Sequence, residues 1–254
     1  MTLLGVALRD QAVKGLYDEV SLKTLIAVTE SDHGDGWTSI TQNGQTSIGA
    51  SPTKAPAAAL AHELLHAKLK LAGYHQFSHF VSKPEHGQML KMHLEALDNE
   101  LQHHRIFDQY LALGLPAKHF YRDNDIHTFR KIRRELDRSK KTDSFDLFLP
   151  LFLSVIAPGG AGTEIERAQL RRYFETRCSA LVWNKLLQVE AAFADWRDSS
   201  SLEASETIRR VLSHSDFIDR AWFGTSSDPD EFPGSGTFIG KPFSAEEAAV
   251  WHGL

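Results

Sequence analysis

Cysteine is almost absent from this chain, since Cys178 is the only one among 254 residues. A single thiol excludes an internal disulfide and any zinc site built from several cysteines, and it is typical of a reducing compartment. Basic residues are not in excess either, because 28 Lys and Arg stand against 33 Asp and Glu, for a net charge of -5. We therefore expect no nucleic-acid partner, because proteins that bind nucleic acids usually carry a basic surface.

Long hydrophobic runs are also lacking. The most apolar stretch, residues 145–156, contains an Asp and a Pro and is far shorter than the roughly 20 residues of a membrane-spanning helix. The first residues have neither the basic segment nor the small-residue cleavage site of a secretory signal. We expect a soluble, cytoplasmic protein with no membrane partner, and the sequence leaves its oligomeric state open.

Hydrophobic periodicity predicts a small β element followed mostly by helices, which is the α+β class. A strand is predicted at 23–29, followed by a hairpin of strands 37–42 and 45–50. The hairpin is joined by Asn43 and Gly44, a pair that favours a type I′ turn. Helices are predicted at 1–22, 57–72, 87–113, 124–140, 144–156, 163–196, 202–222 and 244–251, with loops at 73–86 and 224–240.

Histidine is abundant, with 13 in the chain and ten of them between His62 and His127. Residues 62–66 read His-Glu-Leu-Leu-His, an HExxH motif on a predicted helix. Side chains four residues apart project from the same helical face, so both imidazoles can reach one Zn²⁺. Glu63 lies about 100° around the helix, where its carboxylate can act on a nearby water without binding the metal.

Catalytic zinc usually has three protein ligands, so a third is expected beyond His62 and His66. On the predicted helix 87–113, Glu100 lies in the centre of the apolar face, whereas Glu95 and Gln102 point away from it. A buried carboxylate is costly unless it is paired, protonated or bound to a metal. We therefore predict Glu100 as the third ligand, with a metal-free His/Glu hydrogen-bond network as the alternative.

Other histidines remain open as ligands or as partners of the ligands. His93 and His104 lie on the same predicted face as Glu100, and His103 or His104 could replace Glu100 in an all-histidine site. Four residues that follow could stabilise a developing oxyanion, but no spacing selects among them. They are Tyr110, His119, Tyr121 and His127.

The pattern resembles a known family. The motif at 62–66, followed by Leu-Asp-Asn-Glu-Leu-Gln-His-His at 97–104, is similar to the gluzincin zinc metallopeptidases, the thermolysin-like group. Their third ligand is a Glu that often follows Asn, as Glu100 follows Asn99 here. Their conserved Asp falls at His104, which would have to be neutral to accept a hydrogen bond from a ligand.

The resemblance covers residues 45–110 and implies a zincin-like core at 1–115. We expect a helical half at 116–254 to pack on this core, because no long flexible linker separates the two and the apolar run 145–156 needs to be covered. It implies a zinc-dependent peptidase that hydrolyses an intracellular protein or peptide, with Glu63 as the general base. The strand at 46–50 would hold an extended peptide by main-chain hydrogen bonds.

A second hypothesis is a helical binding or regulatory module with a structural or vestigial zinc site. The number of protein ligands separates the two, because structural zinc has four and catalytic zinc three. The basic run at 130–141 is interpreted as a solvated helical face.

Overall fold

The computed structural model describes residues 2–32, 36–76, 79–121, 128–138, 144–216, 218–224, 232–234 and 236–252. Helices predominate beside two three-stranded sheets, which confirms the α+β class. The helices are α1 (Leu3–Ala7), α2 (Gln11–Ser21), α3 (Pro56–Leu71), α4 (Pro84–Ala112), α5 (Phe129–Arg138), α6 (Phe145–Ile156), α7 (Glu164–Arg177), α8 (Ala180–Asp198), α9 (Ser205–Leu212) and α10 (Ala245–His252). The strands are β1 (Leu25–Glu30), β2 (Thr38–Gln42), β3 (Gln45–Ala50), β4 (His79–Ser82), β5 (Arg220–Gly224) and β6 (Gly236–Gly240). Within the described ranges, no helix has the length and hydropathy needed to cross a membrane.

The chain divides into two compact units. The first comprises Met1–Tyr74, Gln102–Thr128 and Ala157–Thr163, and the second comprises His75–Leu101, Phe129–Ile156 and Glu164–Leu254. Helix α4 contributes its residues up to Leu101 to the second unit and its residues from Gln102 onward to the first. Each unit is therefore assembled from several separate stretches of the sequence.

The sheet of the first unit has the strand order β1-β3-β2. Strands β2 and β3 form the predicted hairpin, and both turn residues have the positive φ of a type I′ turn, 51° at Asn43 and 74° at Gly44. Strand β1 joins the other side of β3 in parallel. The expectation that residues 46–50 would hold a peptide was wrong, because β3 is hydrogen-bonded on both sides, and within the described residues β1 and β2 are the two edge strands of this sheet.

Helix α3 lies at the centre of the first unit. Pro56 occupies its first turn, where the missing N–H removes no hydrogen bond, and the helix packs against α1, α2 and β2. Small and apolar side chains allow this close packing on several sides. The buried residues are Ala58, Ala59, Leu60, Ala61, His62, Glu63, Leu64, Leu65, His66, Ala67 and Leu69. The HExxH motif therefore belongs to the core of this unit.

Two predicted helices are each divided by a residue that caps a new one. Asp10 accepts hydrogen bonds from the N–H groups of Ala12 and Val13, so the predicted helix 1–22 is α1 followed by α2. Ser179 accepts from the N–H of Val182, so the predicted helix 163–196 is α7 followed by α8. Hydrophobic periodicity continued through both caps and concealed them.

The second unit contains the antiparallel sheet β4-β5-β6, which the sequence did not predict. Strands β4 and β6 lie in the stretches expected to be loops, and β5 begins at the end of the predicted helix 202–222 and extends beyond it to Gly224. These strands have four or five residues each, and β4 pairs with residues more than a hundred positions away. Local patterns cannot reveal such pairing. Helix α10 packs against β4.

The hairpin turn gives a test of the first unit. We expect Gly44→Ala to destabilise the protein by about 1–2 kcal/mol, because Gly44 has a φ of 74° that side chains disfavour. Its added Cβ would meet no atom within 4 Å, so the loss reflects backbone strain alone. Urea unfolding measures the effect.

Gly15→Ala is the matched control, because Gly15 lies inside α2 and its added Cβ also meets nothing within 4 Å. This change should stabilise the protein by about 0.5–1 kcal/mol. Equal effects of the two substitutions would contradict the type I′ turn.

Candidate metal centre

Three imidazoles converge in the first unit. His62 and His66 come from α3 and His103 comes from α4, and one ring nitrogen of each lies within 4.8 Å of the others. The ring centroids are 4.7 Å apart for His62 and His66, 5.0 Å for His62 and His103, and 5.2 Å for His66 and His103. All three side chains are buried. This three-histidine group could hold a metal ion.

The spacing of the nitrogens fits a small divalent cation. Nε2 of His62 and Nε2 of His66 are 3.0 Å apart, as their positions one helical turn apart allow. Zn–N bonds of 2.0–2.1 Å in a tetrahedral site place two nitrogens about 3.3 Å apart. Only a few tenths of an ångström separate the observed distance from this value, so the pair could bind zinc without a rearrangement of α3.

Gln102 fixes the chemical form of one of these imidazoles. Its Oε1 lies 2.9 Å from Nδ1 of His66, and both side chains are buried. An amide oxygen only accepts hydrogen bonds, so Nδ1 carries the hydrogen and Nε2 of neutral His66 keeps its lone pair. A metal requires this tautomer. The prediction that Gln102 points away from the core was wrong.

The third member of the group is not the residue that the sequence favoured as the third metal ligand. The group contains His103, one of the alternatives left open, in place of Glu100. Glu100 is itself buried, but it belongs to the second unit. His104, the other histidine proposed as a substitute, is half-buried and lies outside the group.

His93 lies outside the three-histidine group. It belongs to the second unit, where its Nδ1 lies 3.4 Å from Oδ1 of buried Asp146. The Asp146 carboxylate also accepts from the hydroxyl of Ser215, at 2.6 Å, and from the N–H of Asp216, at 2.8 Å. Burial lowers the pKa of His93, and the charge of Asp146 opposes that shift. His93 is therefore part of a polar network in the second unit.

Glu63, the expected general base, is buried immediately after His62 on α3. The hydroxyl of Ser39 donates to its Oε2 at 2.8 Å. Ser39 lies on the edge strand β2, which packs directly on α3. Glu63 thus follows the candidate ligand His62 directly in the sequence but lies outside the three-histidine group. Its carboxylate is oriented by the hydrogen bond from Ser39.

Aromatic rings pack against the imidazoles. The ring of Phe120 is 4.7 Å from His62 and 5.3 Å from His103, and its side chain is fully buried. Tyr121 lies with its ring 4.9 Å from His103 in an edge-to-face arrangement. These contacts restrict the orientation of the imidazoles. No sequence motif indicates Phe120, which approaches the site because the chain turns back through a 3₁₀ turn after α4.

The structure separates the four residues considered for oxyanion stabilisation. Tyr121 is half-buried beside His103. Tyr110 is fully buried, its hydroxyl donates to the carbonyl of Pro116 at 3.4 Å, and burial raises its pKa to about 12. His119 is exposed, and His127 lies outside the described residues. Of the three that the structure describes, Tyr121 is therefore the one whose ring contacts a member of the three-histidine group.

The ligand set can be tested by metal content. We expect His103→Ala to lose bound zinc, because two imidazoles are too few to hold it. Glu100→Gln should retain zinc, because Glu100 lies outside the three-histidine group. His104→Ala is the matched control for loss of an imidazole from the same turn of α4. Elemental analysis measures the zinc content of the purified variants. Zinc lost in Glu100→Gln but retained in His103→Ala would restore Glu100 as the third ligand.

The hydrogen bond from His66 to Gln102 gives a second test. We expect Gln102→Leu to weaken zinc affinity by roughly 10- to 100-fold, because the buried Nδ1–H then lacks its acceptor. Gln102→Glu keeps an acceptor at nearly the same place and should retain affinity close to that of the wild type. Competition with a chromophoric chelator measures the zinc dissociation constants of both variants. Unchanged affinity in Gln102→Leu would contradict the role assigned to this side chain.

The chain matches no family model, no curated protein and no solved structure. Neither the fold nor the three-histidine group can therefore be interpreted by analogy with a relative. The function has to be inferred from the side chains of the site and their geometry.

Proposed function

We propose that this chain is a zinc-dependent metallopeptidase in which His62, His66 and His103 bind the metal and Glu63 is the general base. The observation that carries the proposal is the buried three-histidine group, two of whose members belong to an HExxH motif. A glutamate in that motif is the residue type that accepts a proton beside a catalytic zinc. The proposal keeps Zn²⁺ as the cofactor and replaces Glu100 with His103.

The number and type of donors favour catalysis over a structural role. Structural zinc sites have four protein ligands and commonly use cysteine, whereas catalytic sites have three and leave one position open. Among the residues that the structure describes, the group contains three imidazoles, and the chain's single cysteine, Cys178, belongs to the second unit. A binding module with a structural zinc site would also leave unexplained why a buried glutamate is held next to His62.

Each residue of the site has a different role in the proposed hydrolysis. A zinc ion at this place supplies Lewis acidity toward the scissile carbonyl and the attacking water. As the general base, Glu63 would accept a proton from the attacking water and would deliver it to the leaving amine. Gln102 keeps His66 in the tautomer that leaves Nε2 able to bind. Tyr121 would donate a hydrogen bond to the oxyanion of the tetrahedral intermediate.

The edge strand β2 supports a peptide as the substrate. Within the described part of the chain β2 pairs only with β3, so its other side can pair with an extended peptide. It packs on α3, the helix that carries the motif. A sheet whose edge lies beside an HExxH helix is the arrangement of a zincin-like core, which we include in the proposal for the first unit. We propose a protein or peptide substrate on this basis.

Glu63→Gln tests the proposal. We expect this variant to bind zinc as the wild type does, because Glu63 lies outside the three-histidine group, and to lose hydrolysis by at least about 100-fold, because the proton acceptor is gone. Cleavage of a broad peptide library by the zinc-loaded proteins is measured by mass spectrometry.

Glu95→Gln is the matched control, since Glu95 is exposed on α4, and it should cleave as the wild type does. Wild-type protein that binds zinc stoichiometrically but cleaves no peptide or protein would overturn the proposed function. It would favour a metal-binding module without hydrolytic activity.

A further inference from the structure

The side chain of Ser39, on the edge strand β2, forms a hydrogen bond with the motif helix α3. The hydroxyl of Ser39 lies 2.8 Å from Oε2 of Glu63 and 3.3 Å from the main-chain carbonyl oxygen of the same residue. Ser39 and Glu63 are 24 positions apart in the sequence and belong to different elements. The hydroxyl has a single hydrogen, and the shorter distance assigns it to the carboxylate.

Ser39 also lies at a special position on its strand. The two-residue turn makes Gln42 and Gln45 a hydrogen-bonded pair, and such pairs alternate along an antiparallel ladder. Ser39 is opposite Ile48, which is a non-hydrogen-bonded pair in this alternation. Its main-chain N–H and C=O therefore point away from β3, toward the open side of β2. Its side chain lies on the sheet face of buried Ile48, the face that covers α3.

We infer that Ser39 is a positioning residue for Glu63, which sets the orientation of the general base and connects it to the strand that would hold the peptide. The inference rests on the proposed function for its catalytic consequence. A carboxylate on a flexible side chain samples several rotamers, and a fixed donor on a rigid strand selects one of them. A peptide paired with β2 at Ser39 would contact the same residue that holds the base.

The hydrogen bond can be tested without any catalytic assay. Protein labelled with carbon-13 at the glutamate carboxyl carbon gives one signal per glutamate, and the Glu63 signal is the one missing in Glu63→Gln. At a fixed pH of about 7, Ser39→Ala should shift this signal. Thr41→Val is the matched control, because the Thr41 hydroxyl lies on the same strand but is paired with the Thr46 hydroxyl at 3.0 Å. It should leave the Glu63 signal unchanged.

Kinetics test the consequence for catalysis. We expect zinc-loaded Ser39→Ala to have kcat lowered roughly tenfold at nearly unchanged KM and full zinc content, because the base is misplaced while the ligands are intact. Ser39→Thr keeps the hydroxyl and should recover kcat to within about threefold of the wild type. A merely structural role for Ser39 would not be rescued in this way, and it would lower zinc content or stability instead.

The possible results separate the two proposals. An unshifted Glu63 signal in Ser39→Ala, an unchanged kcat, or a parallel loss of zinc would each overturn the positioning role. Wild-type protein that binds zinc but cleaves no peptide would overturn the proposed function. In that case the carboxyl signal would still decide whether Ser39 holds Glu63.

Discussion

The packing of the first unit depends on one requirement: the imidazoles and the carboxylate buried among its apolar side chains must have polar partners. Polar groups removed from water cost free energy unless each finds a partner. Here His62 and His66 contact one another, Gln102 accepts from His66, and Ser39 donates to Glu63. These partners come from α3, α4 and β2, so satisfying the buried polar groups also fixes how these three elements pack. A metal ion would replace one hydrogen bond of this network and leave the others in place.

The motif helix and the hairpin could be predicted from the sequence because their signals are local. Asn43 and Gly44 adopt the left-handed conformations that their residue types favour, and α3 ends before Gly73, whose φ is 103°. The sequence could not show which strand of the hairpin would be the edge. That depends on where β1 pairs, which is a non-local contact.

The third histidine could not be selected from periodicity for a different reason. A helical-wheel argument assumes that one face of a helix is buried and the other is solvated. In α4 the four consecutive residues 100–103 are all buried. Because successive residues are about 100° apart around an α-helix, these four point to all sides of it. Polarity patterns therefore carry no information on orientation at this point. The helical wheel favoured Glu100 and placed Gln102 away from the core, whereas the structure buries both of them as well as His103 and brings His103 to His62 and His66.

The edge of β2 that pairs with no other strand in the described part of the chain has a consequence for the behaviour of the protein in concentrated solution. Unpaired main-chain groups on an edge strand can pair with a strand of another copy as readily as with a substrate, and natural proteins often block such edges with lysine or proline. Strand β2 reads Thr-Ser-Ile-Thr-Gln, contains neither residue, and exposes 61% of Ile40. The feature that suits β2 to hold an extended peptide thus also makes self-association through this edge a competing reaction.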